Sequence, residues 1–171
     1  KTLPPITAAR GSFSRAGRPP MTGVSTPTPA DGAQWPGWAA AMTLGVWYLL
    51  TAAPGVLWFD TGEIALVAAQ LGLGHPPGFP LYTVVAGWLA HLPGVDPLWT
   101  LNALSGVCAA LCALPAHGLL MRAVTLSPMA RCLVLISVGA LSPLWDQGTR
   151  IEVYAPATLL SLTLLAAGAK V

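Results

Sequence analysis

Between Trp35 and Trp58 the chain carries no charged side chain, and the run is long enough to cross the ~30 Å hydrocarbon core of a bilayer as one helix. Three further apolar runs follow, Trp99–Met121, Met129–Trp145 and Val153–Ala169, the last two near the lower length limit for spanning. A segment in lipid must satisfy its backbone polar groups internally, which leaves helices or a closed barrel. Barrel strands would show short alternating segments, and these runs are continuous. The expected fold class is all-α integral membrane, with about four transmembrane helices. Composition agrees: 54% of the residues are hydrophobic and 8% charged, against about 25% charged in a soluble domain, and mean hydropathy is +0.66.

Residues 1–34 are different material, rich in Pro, Ser, Thr and Gly and without apolar periodicity. Such a segment buries too little surface to offset its ordering entropy, so a disordered cytoplasmic amino-terminal segment is expected there, with the membrane domain over 35–171. Met21 opens a shorter reading frame. The three cysteines, Cys108, Cys112 and Cys132, sit in apolar runs as small packing residues and suggest neither a disulfide framework nor a metal site. The net charge of +2 comes from few and unevenly placed groups and says little about partners; no nucleic-acid partner is expected.

Charge placement orients the spans. Lys1, Arg10, Arg15 and Arg18 precede the first run, which puts the amino terminus in the cytoplasm. If the short apolar piece Pro80–Leu92 does not cross, Arg122 and Arg131 fall in a cytoplasmic loop, while Asp60, Glu63, Asp96, Asp146 and Glu152 all lie outside. If it does cross, that pattern breaks. Residues 59–98 therefore read as a long first outer loop. Within it Ile64, Val67, Ala68 and Leu71 follow one helical face, as do Leu81, Val84, Val85, Trp88 and Leu92, so two amphipathic surface helices are expected.

The loop also holds the candidate chemistry. "DTGE" at 60–63 has the form of a capping box, with Asp60 as N-cap and Glu63 reaching back. "HPPGFP" at 75–80 has the form of a rigid turn, in which Gly78 permits the bend and Pro80 suits a first helical position. A second reading makes these residues a site, in which an acid fixed at the membrane surface takes a proton from a nucleophile and His75 points a ring nitrogen at a phosphate or hydroxyl. Asp60, Glu63 and His75 match no strong metal-ligand spacing, and a divalent metal is the lesser alternative. Arg150 and Glu152 read either as site residues or as outer-loop charges near a span end. Tyr154 reads either as a site residue or as an interfacial anchor.

The run "FDTGEIALVAAQLGLGHPPGFPLY", Phe59–Tyr82, resembles the hallmark of membrane proteins related to protein O-mannosyltransferases, an acidic GDSGE-type motif followed by His-Pro-Pro-Gly-[Tyr/Phe]-Pro-Leu. "LNALSG" at 101–106 resembles the start of that family's next span, and "LWDQGTRIEVYAP" at 144–156 its Trp…Glu-Val-Tyr segment. Phe59 stands where the family tends to have a small residue, and Thr61 replaces the usual Ser. The resemblance implies the amino-terminal part of a GT-C glycosyltransferase, a fragment of a longer enzyme, with a polyprenyl-phosphate-linked sugar as donor. It implies mannosyl transfer to a protein or other hydroxyl acceptor on the outer or lumenal face, with membrane lipid as the surrounding partner. Six Arg against two Lys, with much Ala, Gly and Pro, hint at a GC-rich bacterial gene, so a bacterial inner membrane is the expected location. By the same analogy Asp60 is the catalytic base and Glu63 orients the acceptor or Asp60. His75 and Arg150 contact the lipid phosphate, and Glu152 and Tyr154 line the same cavity. Two other readings stand beside it, a non-catalytic lipid-binding or assembly module and part of a membrane transporter. The acids cluster in loops and leave the spans nearly free of ionisable groups, which favours surface chemistry over conduction.

Overall fold

A computed structural model describes residues 33–76 and 78–169, so the expected disordered amino-terminal segment lies almost wholly outside them. The described residues form eight helices: α1 Trp35–Leu50, α2 Thr61–Gln70, α3 Pro80–Ala90, α4 Pro97–Leu111, α5 Ala113–Ala123, α6 Pro128–Gly139, α7 Ser142–Thr149 and α8 Tyr154–Gly168. Local sequence sets several starts. Asp96 accepts hydrogen bonds from the amides of Leu98 (2.8 Å) and Trp99 (3.2 Å), with Pro97 as first helical residue of α4. Ser127 caps α6 through the amide of Ala130, and Pro80 opens α3 as its position predicts.

α4 and α5 continue into one another as a 27-residue apolar helix, Pro97–Ala123, about 40 Å long. The break at Cys112 has a cause three residues on, because Pro115 has no N–H to donate to the carbonyl of Leu111 and its ring crowds that same carbonyl. Among the described residues this is the one unbroken helix long and apolar enough to cross a membrane.

In the other three expected spans the helices are shorter than the apolar runs, or bent. The run 35–58 is helical only to Leu50, because Pro54 disfavours helical geometry at Ala53 and has no N–H to donate. The chain turns there instead, and the amide of Ala53 donates to the carbonyl of Thr149 at 2.7 Å. The run 129–145 is bent by 69° between α6 and α7, because Pro143 in the first turn of α7 cannot continue α6. The last run forms a 15-residue helix, α8.

Close backbone approach holds α1, α4 and α7 together. A Cβ on Gly106 would stand 3.0 Å from the carbonyl oxygen of Gly148 and 3.2 Å from Cβ of Tyr48, so only glycine lets these helices meet. The buried hydroxyl of Tyr48 donates to the carbonyl of Gly139 at 2.7 Å, which fixes α6 on α1. A separate apolar cluster joins Ile64, Ala65 and Ala68 of α2, Tyr82 and Ala86 of α3, Leu101 of α4, and Ile151 and Val153. This cluster seats the two amphipathic helices against the segment that carries Arg150 and Glu152.

Candidate functional site

α2 and α3 cover the two stretches whose periodicity marks them as amphipathic, and α2 buries Ile64, Ala65 and Ala68 while Glu63 and Gln70 stay exposed. The capping-box reading of "DTGE" fails. Asp60 occupies the N-cap position with helical backbone angles (φ −76°, ψ −1°), and its side chain accepts no capping bond. An N-cap oxygen reaches the next amides from extended geometry, which Asp60 lacks.

Glu63 is committed elsewhere. Its Oε1 accepts from the backbone amide of His75 at 2.7 Å, and both carboxylate oxygens lie 3.0 Å from His75 Nδ1. The turn that presents His75 closes through the amide of Gly78, which donates to the carbonyl of His75 at 2.8 Å with Gly78 at φ +79°. Hydrogen bonds from His75, that of its backbone amide foremost, hold the Glu63 carboxyl below the usual carboxylate range. Nδ1 is thereby occupied, and Nε2 is the ring nitrogen left to meet a ligand. The ring stands edge-on to Phe79 at 6.1 Å between centroids. A small cavity of about 20 Å³ lies beside the pair, bounded by Phe79, Tyr82, Thr83 and Val153.

The second half of the site comes from the end of α7. Arg150 is buried and its Nη2 pairs with Asp146 at 3.0 Å, while its Nε lies 3.3 Å from Glu152 Oε1 without hydrogen-bond geometry. The guanidinium sits over the ring of Phe59 at 4.9 Å, a cation–π contact that draws the start of the outer loop onto this segment. Glu152 is 4% exposed. Burial pushes its carboxyl up, against the pull of Arg150, and the negative charge of Asp60 adds to the push. Asp60, Arg150 and Glu152 are thus electrostatic neighbours across ninety positions of sequence, and Asp60 itself is exposed.

Backbone geometry around this group is unusual. Phe59, Leu71 and Phe79 all have positive φ (64°, 51° and 40°), conformations that non-glycine residues seldom hold and that tend to gather at functional sites.

Of the residues singled out by sequence, Glu63 meets His75, and Asp60 lies by Arg150 and Glu152. Tyr154 is placed apart. It is exposed at the start of α8 and lines a different, apolar cavity of about 440 Å³ shared with Tyr48, Cys112 and Gln147. Among the described residues, no three His, Cys, Asp or Glu side chains converge as metal ligands.

Three residues that sequence reasoning passed over support the site. Asn102 is fully buried, and its Nδ2 donates to the carbonyls of Ala53 and Leu98, both at 2.9 Å, which locks the 51–58 turn to α4. Ser105 Oγ accepts from the amide of Glu152 at 3.1 Å and donates to its carbonyl at 3.2 Å. The Tyr82 hydroxyl is buried without a partner among the described residues, and burial raises its pKa. All three stand inside the motifs quoted above, which was the available signal.

Comparison with known proteins places the sequence beside a described family. Residues 60–171 match the family described as the protein O-mannosyl-transferase TMEM260 N-terminal domain. Over 67 residues the chain is 33% identical to the protein O-mannosyl-transferase tmem260 of Dictyostelium discoideum, a stretch covering 37% of this chain and 8% of that protein. Over 55 residues it is 38% identical to the protein O-mannosyl-transferase TMEM260 of Mus musculus, covering 32% of this chain and 8% of that protein. The match thus spans about a twelfth of the length of each of these relatives. No solved structure matches the chain. Because the family match takes in every element from the acidic motif to α8, well over half of the chain, this protein belongs to the family of the protein O-mannosyl-transferase TMEM260 N-terminal domain.

Proposed function

We propose that this chain is the amino-terminal part of a membrane glycosyltransferase that moves a sugar, mannose by analogy with its named relatives, from a polyprenyl-phosphate carrier to a protein hydroxyl. The observation that carries the reading is the contact of Arg150 with Phe59, which gathers Asp60, Arg150 and Glu152 at one place beside the Glu63–His75 pair. In the proposed reaction Asp60 accepts the proton of the acceptor hydroxyl. The hydroxyl oxygen forms a bond to the anomeric carbon as the bond from that carbon to the phosphate oxygen breaks, and the polyprenyl phosphate leaves with the electron pair. Exposure leaves Asp60 open to an acceptor chain, and positioning supplies most of its effect.

Glu63, held ionised by His75, orients the acceptor or Asp60, and His75 Nε2 faces the donor phosphate. Arg150 is the second phosphate contact. Its partner Asp146 is 44% exposed, so an incoming phosphate can take that place while Glu152 retains the guanidinium.

The same reading sets the chain in the membrane with a cytoplasmic amino terminus and four crossings, made by α1, α4–α5, the bent α6–α7 pair and α8. The acid-bearing loop then lies on the outer face, and the excess of Arg over Lys, with much Ala, Gly and Pro, supports a bacterial inner membrane. Support comes from the length of Pro97–Ala123 and from large apolar side chains left outward-facing, such as Leu50, Leu133 and Leu164. No cofactor beyond the lipid-linked donor is proposed. One observation favours a second reading, a lipid-binding or assembly module without chemistry: both candidate phosphate contacts, His75 and Arg150, already hold carboxylates.

The test is donor choice by the full-length protein in liposomes containing a Ser/Thr acceptor peptide. Mannosyl transfer from polyprenyl-phosphate mannose, and none from nucleotide-linked mannose, is expected. Transfer from the nucleotide sugar without a lipid carrier contradicts the proposal, and no transfer from either donor favours the assembly module.

A further inference from the structure

Among the described residues, the five acids sit at one end of the helix bundle and two buried basic groups sit at the other. Five of the six acidic residues are described, Asp60, Glu63, Asp96, Asp146 and Glu152, and none lies near the far end of the long helix Pro97–Ala123. His117 stands about 30 Å along that helix from Asp96. It is 1% exposed, and its Nε2 has no hydrogen-bond partner among the described residues. Arg131, in the first turn of α6, is 5% exposed; its Nε is likewise without a partner, and its charge acts on His117.

The site is shaped as well as charged. Gly37 of α1 faces the imidazole so closely that a Cβ would stand 3.1 Å from Cβ of His117, and the adjoining core of Ala40, Ala41, Ala113 and Cys132 holds the three helices in register. Arg122, near the same end, is already engaged, donating from Nη1 to the carbonyl of Ala166 at 2.9 Å. Arg131 has no such carbonyl and no carboxylate among the described residues.

A guanidinium cannot shed its proton, so burying one without an anion leaves its charge uncompensated. An anion offering oxygens to donors on two different helices would satisfy Arg131 and His117 together. From this juxtaposition we infer that the α1–α5–α6 end of the bundle is a phosphate-binding site, with Arg131 and His117 as its donors, separate from the acidic site and independent of the transfer reaction. Phosphate reaches such a place either as the headgroup of an anionic phospholipid or as the free ion, and basic pockets between helix ends of a membrane bundle suit headgroups.

The experiment uses the full chain in nanodiscs of phosphatidylcholine doped with phosphatidylglycerol, with lipid retention read by native mass spectrometry and melting measured with and without inorganic phosphate. Wild type should retain phosphatidylglycerol over phosphatidylcholine, and Arg131→Gln and His117→Gln should each weaken that retention about tenfold, as loss of a charge-assisted hydrogen bond does. Arg131→Lys, which keeps the charge, should retain an intermediate share and serves if Arg131→Gln does not fold. If inorganic phosphate raises the wild-type melting temperature but not that of Arg131→Gln, and phosphatidylglycerol is not retained, the site stands and its ligand is the free ion. Equal retention and equal melting in wild type and variants would overturn it. So would a melting loss in Asp31→Asn that is not additive with Arg131→Gln, since the anion would then be the chain's own carboxylate.

Discussion

Arg150→Gln tests the electrostatics of the acidic site most severely. The Arg150 and Glu152 side chains are 6% and 5% exposed, so removing the guanidinium strands a buried carboxylate, a change that costs ~3–5 kcal/mol. The Asp146 partner is 44% exposed and contributes less than about 1 kcal/mol, and the stacking on Phe59 about 0.5–1 kcal/mol. The buried pair therefore dominates.

Burial already raises the Glu152 pKa, and Arg150 is the largest influence lowering it, so the variant carboxyl rises further. An acid whose folded pKa is raised destabilises the fold as pH climbs through that value, and the stability is recovered below its unfolded value of about 4.5. Unfolding in detergent, followed by tryptophan fluorescence, should show a loss of ~3–5 kcal/mol at about pH 7.5 and a clearly smaller loss at about pH 5, where Glu152 takes up a proton. Arg150→Met combined with Glu152→Leu should regain most of the loss, because neither charge is then left unpaired. A deficit of the same size at both pH values, or one below about 1 kcal/mol, would refute the reasoning.

Two further outcomes follow from the packing. Glu63→Gln should speed hydrogen exchange at the amides of residues 72–75 and 78–79, because an uncharged amide oxygen accepts the backbone N–H and the ring of His75 more weakly than the carboxylate does; unchanged protection would dismiss the clasp. In wild type that protection should persist above about pH 4.5 and fade as pH drops through the lowered Glu63 value. The third prediction compares two glycines of the same continuous helix. Gly106→Ala should destabilise by ~1–2 kcal/mol, since overpacking against the Gly148 carbonyl and Tyr48 outweighs the gain in helix propensity. Gly118→Ala, with nothing within 4 Å, should stabilise by up to ~1 kcal/mol, and equal melting shifts for the two would contradict the packing described.

Amphipathic periodicity placed α2 and α3 because each is local, a matter of residues three and four apart. Proline at 80 and the Asp96-Pro97 pair likewise announce their helices within one turn. Hydropathy misjudged the ends of the first and third apolar runs because Pro54 and Pro143 are themselves apolar, and their effect is on the backbone. The spacing of Asp60 and Glu63 suited a cap, and nothing local reveals that His75, twelve residues on, binds the carboxylate more closely. Nor does any local pattern bring Arg150 onto Phe59, which depends on the Gly106 contact and on the Asn102 lock of the 51–58 turn. Phe59 shows how a sequence departure acquires a structural meaning. The position where the family tends to have a small residue has φ +64°, a left-handed conformation that glycine adopts at no steric cost, and here the aromatic ring gains the face of Arg150 in exchange.

The central claim is that Asp60 performs chemistry in this cluster, and mannosyl transfer by the full-length protein carrying Asp60→Asn, with polyprenyl-phosphate mannose as donor, tests it most directly. Loss of a general base predicts a fall of about 10²–10⁴-fold in transfer, with melting close to wild type because the Asp60 side chain makes no capping bond. Transfer within a few-fold of wild type would show that the acid of this loop is not the base, whatever else the site binds.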